Sequence, residues 1–116
     1  MVGSANILIK SDNDTICLYL YSHWDCYNLP SVLQSALVRG KDRANDFQYI
    51  TRVIFTEMTK GNVMGLTGYG ITTEVYDNER DIITFNTDNL TITIGEQSFS
   101  LNDYIKLTID GFDLKE

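Results

Sequence analysis

The chain has 116 residues, of which 43% are hydrophobic and 22% are charged, and this composition is typical of a soluble globular domain rather than a disordered chain. Sixteen acidic residues against nine basic ones give a net charge of −7, which argues against a whole-molecule electrostatic grip on DNA or RNA. No apolar run reaches the roughly 20 residues of a membrane-spanning helix and no secretory signal pattern begins the chain, so we expect one cytoplasmic domain over residues 1–116 with no membrane contact.

The predicted elements come in blocks, with two strands, two helices, three strands and a short helix in chain order. They are strands at 5–10 and 15–21, a helix from Leu29 that Gly40 stops, a helix capped by Asn45 or Asp46 that ends near Gly61, strands at 71–76, 81–85 and 90–94, and a short helix capped by Ser100. This β-β-α-α-β-β-β-α order predicts an α+β fold in which an antiparallel sheet of about five strands carries the two longer helices on one face. The three later strands are expected to form a meander.

Charge is distributed unevenly along the chain. From Glu74 to Glu116 there are ten acidic residues and three basic ones, whereas the first 73 residues have no net charge. Arg39, Lys41 and Arg43 form a cationic spot in the connector between the two predicted helices, which favours phosphate binding. The acidic second half also fits the basic groove of a partner, as a nucleic-acid mimic does, and solvated charge that keeps the protein soluble is the simpler alternative.

The only histidine and the only tryptophan lie with three tyrosines around the end of the second predicted strand. These residues are Tyr19, Tyr21, His23, Trp24 and Tyr27. Asp25 follows His23 by two positions, so its carboxylate can orient the imidazole across a turn, which suits ligand binding or acid–base catalysis. The alternative is structural, because the same residues can fix the junction between strand and helix, with Trp24 filling core.

Three glycines, Gly65, Gly68 and Gly70, lie in a predicted loop before the first of the later strands. Phosphate-binding loops follow a strand and open a helix, whereas this loop precedes a strand, so a dinucleotide fingerprint is not indicated. The stretch can still present backbone amides to an anion or form a pocket wall with Tyr69. A purely structural loop is the alternative.

Several short motifs resemble those of a family of small phage and prophage proteins, and the likeness covers residues 5–76. The motifs are Ala5-Asn6-Ile7, His23-Trp24-Asp25 with Tyr27, Leu29-Pro30, Arg39-Gly40-Lys41-Asp42-Arg43, Arg52, Glu57-Met58 and Thr67-Gly68-Tyr69-Gly70-Ile71. The resemblance implies a phage or mobile-element context and brings no assigned activity with it. Those proteins typically have glycine where Cys26 stands here, which argues against Cys26 as a catalytic nucleophile.

The leading functional hypothesis is a non-enzymatic anti-defence or host-takeover protein that captures an anionic small molecule, with a nucleotide signal as the favoured ligand. The predicted ligand-binding residues, which combine aromatic stacking with positive charge, are His23, Trp24, Asp25, Tyr27, Arg39, Lys41, Arg43, Gly68, Tyr69 and Gly70. The hypothesis requires the Trp24 bend and the Tyr69 stretch to form two walls of one pocket.

No catalytic residue, metal or cofactor is predicted, and homodimerisation is a natural way for a domain this small to build a deep pocket. Two other functions remain open. One is an acidic protein inhibitor whose surface occupies a host nuclease or another nucleic-acid-binding enzyme. The other is a small hydrolase that uses His23 and Asp25 as an acid–base pair.

Overall fold

Eight strands and three helices make up the described part of the chain, which comprises residues 4–23, 26–75, 78 and 80–116 of this computed structural model. The strands are β1 (Ala5–Ser11), β2 (Ile16–Ser22), β3 (Tyr69–Thr72), β4 (Ile83–Asn86), β5 (Thr91–Ile94), β6 (Gln97–Ser100), β7 (Thr108–Asp110) and β8 (Asp113–Lys115). The helices are α1 (Leu29–Arg39), α2 (Phe47–Thr59) and α3 (Leu101–Tyr104), and short 3-10 turns lie at Cys26–Asn28 and Lys41–Arg43.

The first six strands form one sheet in the order β3-β2-β1-β4-β5-β6, and β7 pairs with β8 in a separate hairpin. The predicted α+β class is therefore confirmed, but the antiparallel sheet of about five strands is wrong in two respects. The sheet has six strands, and it is mixed because β1 pairs with β4 in parallel. The expected meander fails for the same reason: β3 pairs with β2, and the chain then crosses to the far side of β1 before β4 begins.

The strands that the sequence did not predict are short and lack the usual alternation. β6 reads Gln-Ser-Phe-Ser and has only one side chain, Phe99, that is not fully exposed. β7 and β8 have three residues each, so neither offers enough alternation to distinguish a strand from a loop. Pairing with a neighbouring strand, which is a tertiary effect, defines all three.

The strand register assigns the side chains to two faces of the sheet. Ile7 pairs with Leu20 of β2 and with Ile83 of β4, and these three side chains are fully buried. Leu8, the next residue along β1, lies on the opposite face and is half-buried. Helices α1 and α2 pack on each other and on β1, so the Ile7 side is called the helix face and the Leu8 side the open face.

The two long helices begin and end where the sequence predicts. Pro30 lies in the first turn of α1, where its missing N–H costs no hydrogen bond. Gly40 ends α1 where a Cβ would lie 2.7 Å from the Ile50 side chain, so glycine lets the two helices approach closely. Asp46 rather than Asn45 caps α2, since its carboxylate accepts the Tyr49 N–H at 3.2 Å. 

The short helix α3 also has its predicted cap. Ser100 Oγ accepts the Asp103 N–H at 3.2 Å, as the capping-box pattern indicates. The helix contains only four residues, so its stability depends on the packing of Leu101 and Tyr104, which are both buried.

The Tyr104 hydroxyl ties this helix to the start of α1. Tyr104 is fully buried, its Oη donates to the Pro30 carbonyl at 2.7 Å, and burial raises the pKa of the phenol. We expect Tyr104→Phe to lower the free energy of unfolding by about 1 kcal/mol, because the Pro30 carbonyl loses its donor. Urea unfolding followed by circular dichroism measures this, with Tyr49→Phe at a half-buried tyrosine of α2 as the control. Equal losses in both variants would contradict the assigned role of the hydrogen bond.

Candidate functional site

The bend after β2 and the glycine stretch before β3 lie side by side, as the sequence-based hypothesis requires. The His23 N–H donates to the Gly68 carbonyl at 2.8 Å, which extends the pairing of Ser22 with Tyr69 by one step. Gly68 has a φ of +97°, a conformation that strongly favours glycine. This backbone contact joins the two predicted segments, but it does not decide where their side chains lie.

The His23 imidazole lies among hydroxyl groups on the open face. Its Nδ1 is 3.0 Å from Ser4 Oγ and 3.3 Å from Tyr21 Oη, and the ring stacks on Tyr21 with 6.4 Å between centroids. Gly70 pairs with Tyr21, so it also belongs to the open face. Trp24 and Asp25 lie outside the described residues, so the acid–base pair of the hydrolase hypothesis stays a prediction.

The Tyr69 side chain lies on the other side of the sheet. Tyr69 pairs with Ser22, which places it on the helix face, and its ring lines a cavity between β3 and the two long helices. The His23 and Tyr69 side chains are therefore separated by the sheet. Within the described residues, they do not form two walls of one pocket.

Tyr27 contacts the carboxy-terminal hairpin instead of the other predicted ligand residues. Its hydroxyl donates to Asp110 Oδ1, and the ring lies directly over Gly111 at the β7–β8 turn. The hydrogen bond to Asp110 raises the pKa of the Tyr27 phenol, with desolvation as a smaller contribution. These contacts give Tyr27 a structural task, which is to hold the hairpin against the start of α1.

The cationic connector also divides into separate contacts. Arg43 Nη2 lies 2.9 Å from Asp46 Oδ2, and the guanidinium lies 4.1 Å from the centre of the Tyr49 ring. The hydrogen bond from Arg43 lowers the pKa of Asp46, assisted by the Tyr49 N–H. Lys41 is exposed in the adjoining 3-10 turn. Arg39 lies on α1 and turns toward α2, away from this pair.

Arg39 and Tyr69 flank one continuous depression, which we call the α1–α2 groove. It consists of two adjoining cavities of about 560 and 350 Å³ that share Ser35, Glu57 and Lys60. The groove is lined by Ser31, Val32, Gln34, Ser35, Val38, Arg39, Glu57, Met58, Lys60, Gly61, Tyr69 and Ile105. Two of the predicted ligand-binding residues are thus brought to one concave surface.

A buried carboxylate at the floor of the groove holds two exposed cations. The Glu57 side chain is only 5% exposed, and its two oxygens accept from Arg39 Nη1 at 2.8 Å and from Lys60 Nζ at 2.6 Å. The Lys60 hydrogen bond, together with Arg39, keeps the pKa of Glu57 below its ordinary value against the opposing effect of burial. Arg39 and Lys60 are 58% and 68% exposed, so this ion triad presents a net charge of +1 to solvent.

The ligand-binding residues predicted from the sequence did not include Glu57 and Lys60. Their spacing of three on α2 indicates an ordinary surface ion pair, and nothing in it indicates that Arg39 of α1 completes a triad. Glu57 did belong to the Glu57-Met58 motif of the phage-protein resemblance, which was the only available signal. The side-chain chemistry of the groove, with two cations, an aromatic ring and the hydroxyls of Ser31 and Ser35, suits a small anion with a planar group.

Fold and groove together define an α+β protein with a mixed sheet and a cationic cleft between its two long helices. No family model, curated protein or solved structure matches the chain. The likeness of residues 5–76 to phage proteins therefore stays a prediction from motifs. None of the helices in the described part of the chain has the length and apolar character to cross a bilayer.

Proposed function

We propose that the protein is a non-enzymatic binding protein that captures an anionic small molecule, with nucleotides as the leading ligand class, in the α1–α2 groove. The observation that carries the proposal is the triad in which Glu57 fixes two exposed cations at the edge of a concave surface. A phage setting, a cytoplasmic location in the host and an anti-defence role complete the proposal and rest on the motif resemblance alone.

The triad supports anion binding because Glu57 occupies only part of the donor capacity of each cation. Arg39 has five N–H donors and uses Nη1 for Glu57, and Lys60 has three donors and uses one. The remaining donors lie toward solvent, since both side chains are mostly exposed. Two long side chains that are already held in place lose less conformational entropy when a phosphate binds.

The rest of the groove supports a planar organic group beside the anion. Tyr69 is half-buried and lines the cavity next to the Lys60 end, where its ring is available for stacking. Ser31 and Ser35 place hydroxyl groups along the same wall, and Val32 and Met58 provide apolar contact. Phosphate, sugar hydroxyls and a base together match this order of charged, polar and aromatic surface.

The proposed site contains only some of the ligand-binding residues predicted from the sequence. Arg39 and Tyr69 supply charge and stacking, and Lys60 takes the role assigned from sequence to Lys41 and Arg43. His23 and its neighbours on the open face are not required for binding in the groove. Their role as ligands therefore remains a separate prediction.

Isothermal titration calorimetry with a panel of linear and cyclic nucleotides, and with inorganic phosphate, tests the proposal. We expect Arg39→Ala and Lys60→Ala each to raise the dissociation constant roughly tenfold or more, because each removes a charge-assisted hydrogen bond. Arg43→Ala is the matched control, since that guanidinium pairs with Asp46 outside the groove. Absence of heat from the whole panel, or an equal loss in the Arg43 variant, would overturn the assignment to this groove.

A further inference from the structure

Strand β3, which is four residues long, lies at one edge of the sheet and lacks the charged residues and prolines that often protect an edge. In the described part of the chain it pairs with β2 on one side only. Its sequence, Tyr-Gly-Ile-Thr, contains no proline and no charged residue, and natural edge strands use both to prevent further pairing. Among the described residues, no strand pairs with its outer backbone N–H and C=O groups.

Four exposed apolar side chains lie in β3 and in the loop that leads into it. They are Val63 (66% exposed), Met64 (88%), Leu66 (99%) and Ile71 (54%), and we call them the apolar edge patch. Single exposed apolar side chains are common, but three in the loop that leads into an edge strand and a fourth within that strand are not explained by the fold. Leu66 is almost as accessible as in an extended chain, so the fold alone gains nothing from its apolar character.

The two edges of the six-stranded sheet differ in charge. No charged side chain occurs between Lys60 and Glu74, so β3 and its loop form an uncharged surface on a chain of net charge −7. The opposite edge, β6, has charged Glu96 in its turn and lies beside Asp103 and Lys106. Of the two edge strands of the six-stranded sheet, as far as the structure describes them, β3 is the one with an uncharged apolar surface.

We infer that the β3 edge and the apolar edge patch form an interface with a second copy of this chain, through antiparallel pairing of β3 with itself. In a two-fold dimer the same surface meets itself, so a charged patch would repel its own copy whereas an uncharged apolar patch does not. A second copy also supplies a strand of identical length to the unpaired edge. The two six-stranded sheets would join into one continuous sheet.

The register of such a pair follows from the faces of the sheet. A two-fold axis perpendicular to the sheet keeps each side chain on its own face, so Tyr69 and Ile71 can oppose only residues of the helix face. Two registers satisfy this condition and pair three residues of β3 with three of its copy. One places Ile71 opposite Ile71 of the second copy, and the other places Ile71 opposite its Tyr69. Ile71 becomes part of an apolar cross-strand pair in both cases.

Sedimentation velocity and light scattering on the full chain, from micromolar to millimolar concentration, test the inference. We expect a concentration-dependent dimer, and we expect Ile71→Lys and Leu66→Asp each to raise its dissociation constant roughly tenfold or more. Ile71→Lys places like charges near the two-fold axis, and Leu66→Asp introduces a charge into the apolar edge patch. Gln97→Lys, which adds the same charge to the opposite edge strand, should leave the dimer unchanged. Circular dichroism checks that each variant is folded, since both replaced side chains are exposed.

Hydrogen exchange adds a second readout that does not depend on a variant. In the dimer, outward-facing amides of β3 should exchange more slowly as concentration rises, while those of β6 should not change. A wild-type protein that stays monomeric throughout, or a dimer that Ile71→Lys and Gln97→Lys affect equally, would overturn the inference. Oligomeric state is measured here without ligand, so this result is independent of the proposed anion binding.

Discussion

Replacing Gly111 with alanine is expected to lower the free energy of unfolding by about 1 to 2 kcal/mol through backbone strain, and to displace the Tyr27 ring as well. Gly111 has a φ of +61°, where an L side chain is strained by about 1 to 2 kcal/mol. An added Cβ would also lie 2.3 Å from Cε1 of Tyr27. The ring must then move away, and the hydrogen bond from Tyr27 to Asp110 is lost with it.

Gly61 provides the matched control for this substitution. A Cβ at Gly61 meets nothing within 4 Å, so Gly61→Ala should change stability by no more than about 0.5 kcal/mol. Urea unfolding of both variants, followed by circular dichroism, gives the comparison. If Gly111→Ala were as stable as the wild type, the packing of Tyr27 on the β7–β8 turn would be contradicted. Tyr27 would then be free for the ligand-binding role predicted from the sequence.

The elements that could be predicted from the sequence are those defined by local signals. Helices α1 and α2 have apolar periodicity together with Pro30, Gly40 and Asp46 at their ends, and Ser100 marks α3 in the same way. Strand order is not a local property. The parallel pairing of β1 with β4 depends on which strands the helices bring together, and no residue spacing indicates it.

The candidate site could be predicted only in part, for a related physical reason. Sequence proximity grouped Arg39 with Arg43, but the helical turn directs one toward Glu57 and the other toward Asp46. The hypothesis of a shared pocket grouped His23 with Tyr69, which strand alternation places on opposite faces of the sheet. A buried carboxylate with two partners is visible only when α1 and α2 are packed together.

Tyr69 connects the proposed groove with the inferred interface. The residue belongs to β3, and its ring lines the cavity beside α1 and α2, so a second copy paired with β3 would lie next to the groove. Reduced motion of β3 in a dimer would hold the Tyr69 ring in place and favour ligand binding. Binding and dimerisation would then strengthen each other, as thermodynamic linkage requires of coupled equilibria.

The Glu57 triad should contribute a stability that disappears in acid. We expect Glu57→Gln to lower the free energy of unfolding by about 2 kcal/mol near neutral pH, because a buried carboxylate loses charge-assisted hydrogen bonds to two cations. This loss of unfolding free energy is smaller than the loss expected when a fully buried ion pair is broken. Arg39 and Lys60 are mostly exposed and regain hydration when Glu57 is neutralised.

The pH dependence has a definite sign. The pKa of Glu57 is lowered in the folded protein from its ordinary value of 4.5, so the unfolded chain binds the proton more readily. The contribution of Glu57 is therefore complete above the ordinary pKa and is lost as the pH falls through the lowered, folded-state pKa. The stability difference between the wild type and Glu57→Gln should accordingly shrink with acid. Other carboxylates with lowered pKa values, such as Asp46 and Asp88, are present in both proteins and cancel.

Urea unfolding at a series of pH values from neutral to acid measures this difference directly. Glu96→Gln, which removes an exposed carboxylate in the β5–β6 turn, is the control and should show a small difference that does not vary with pH. A Glu57→Gln deficit that stayed constant into strong acid would mean that the carboxylate charge does not stabilise the triad. The two cations would then not be held by Glu57, and the preorganised anion site in the groove would lose its physical basis.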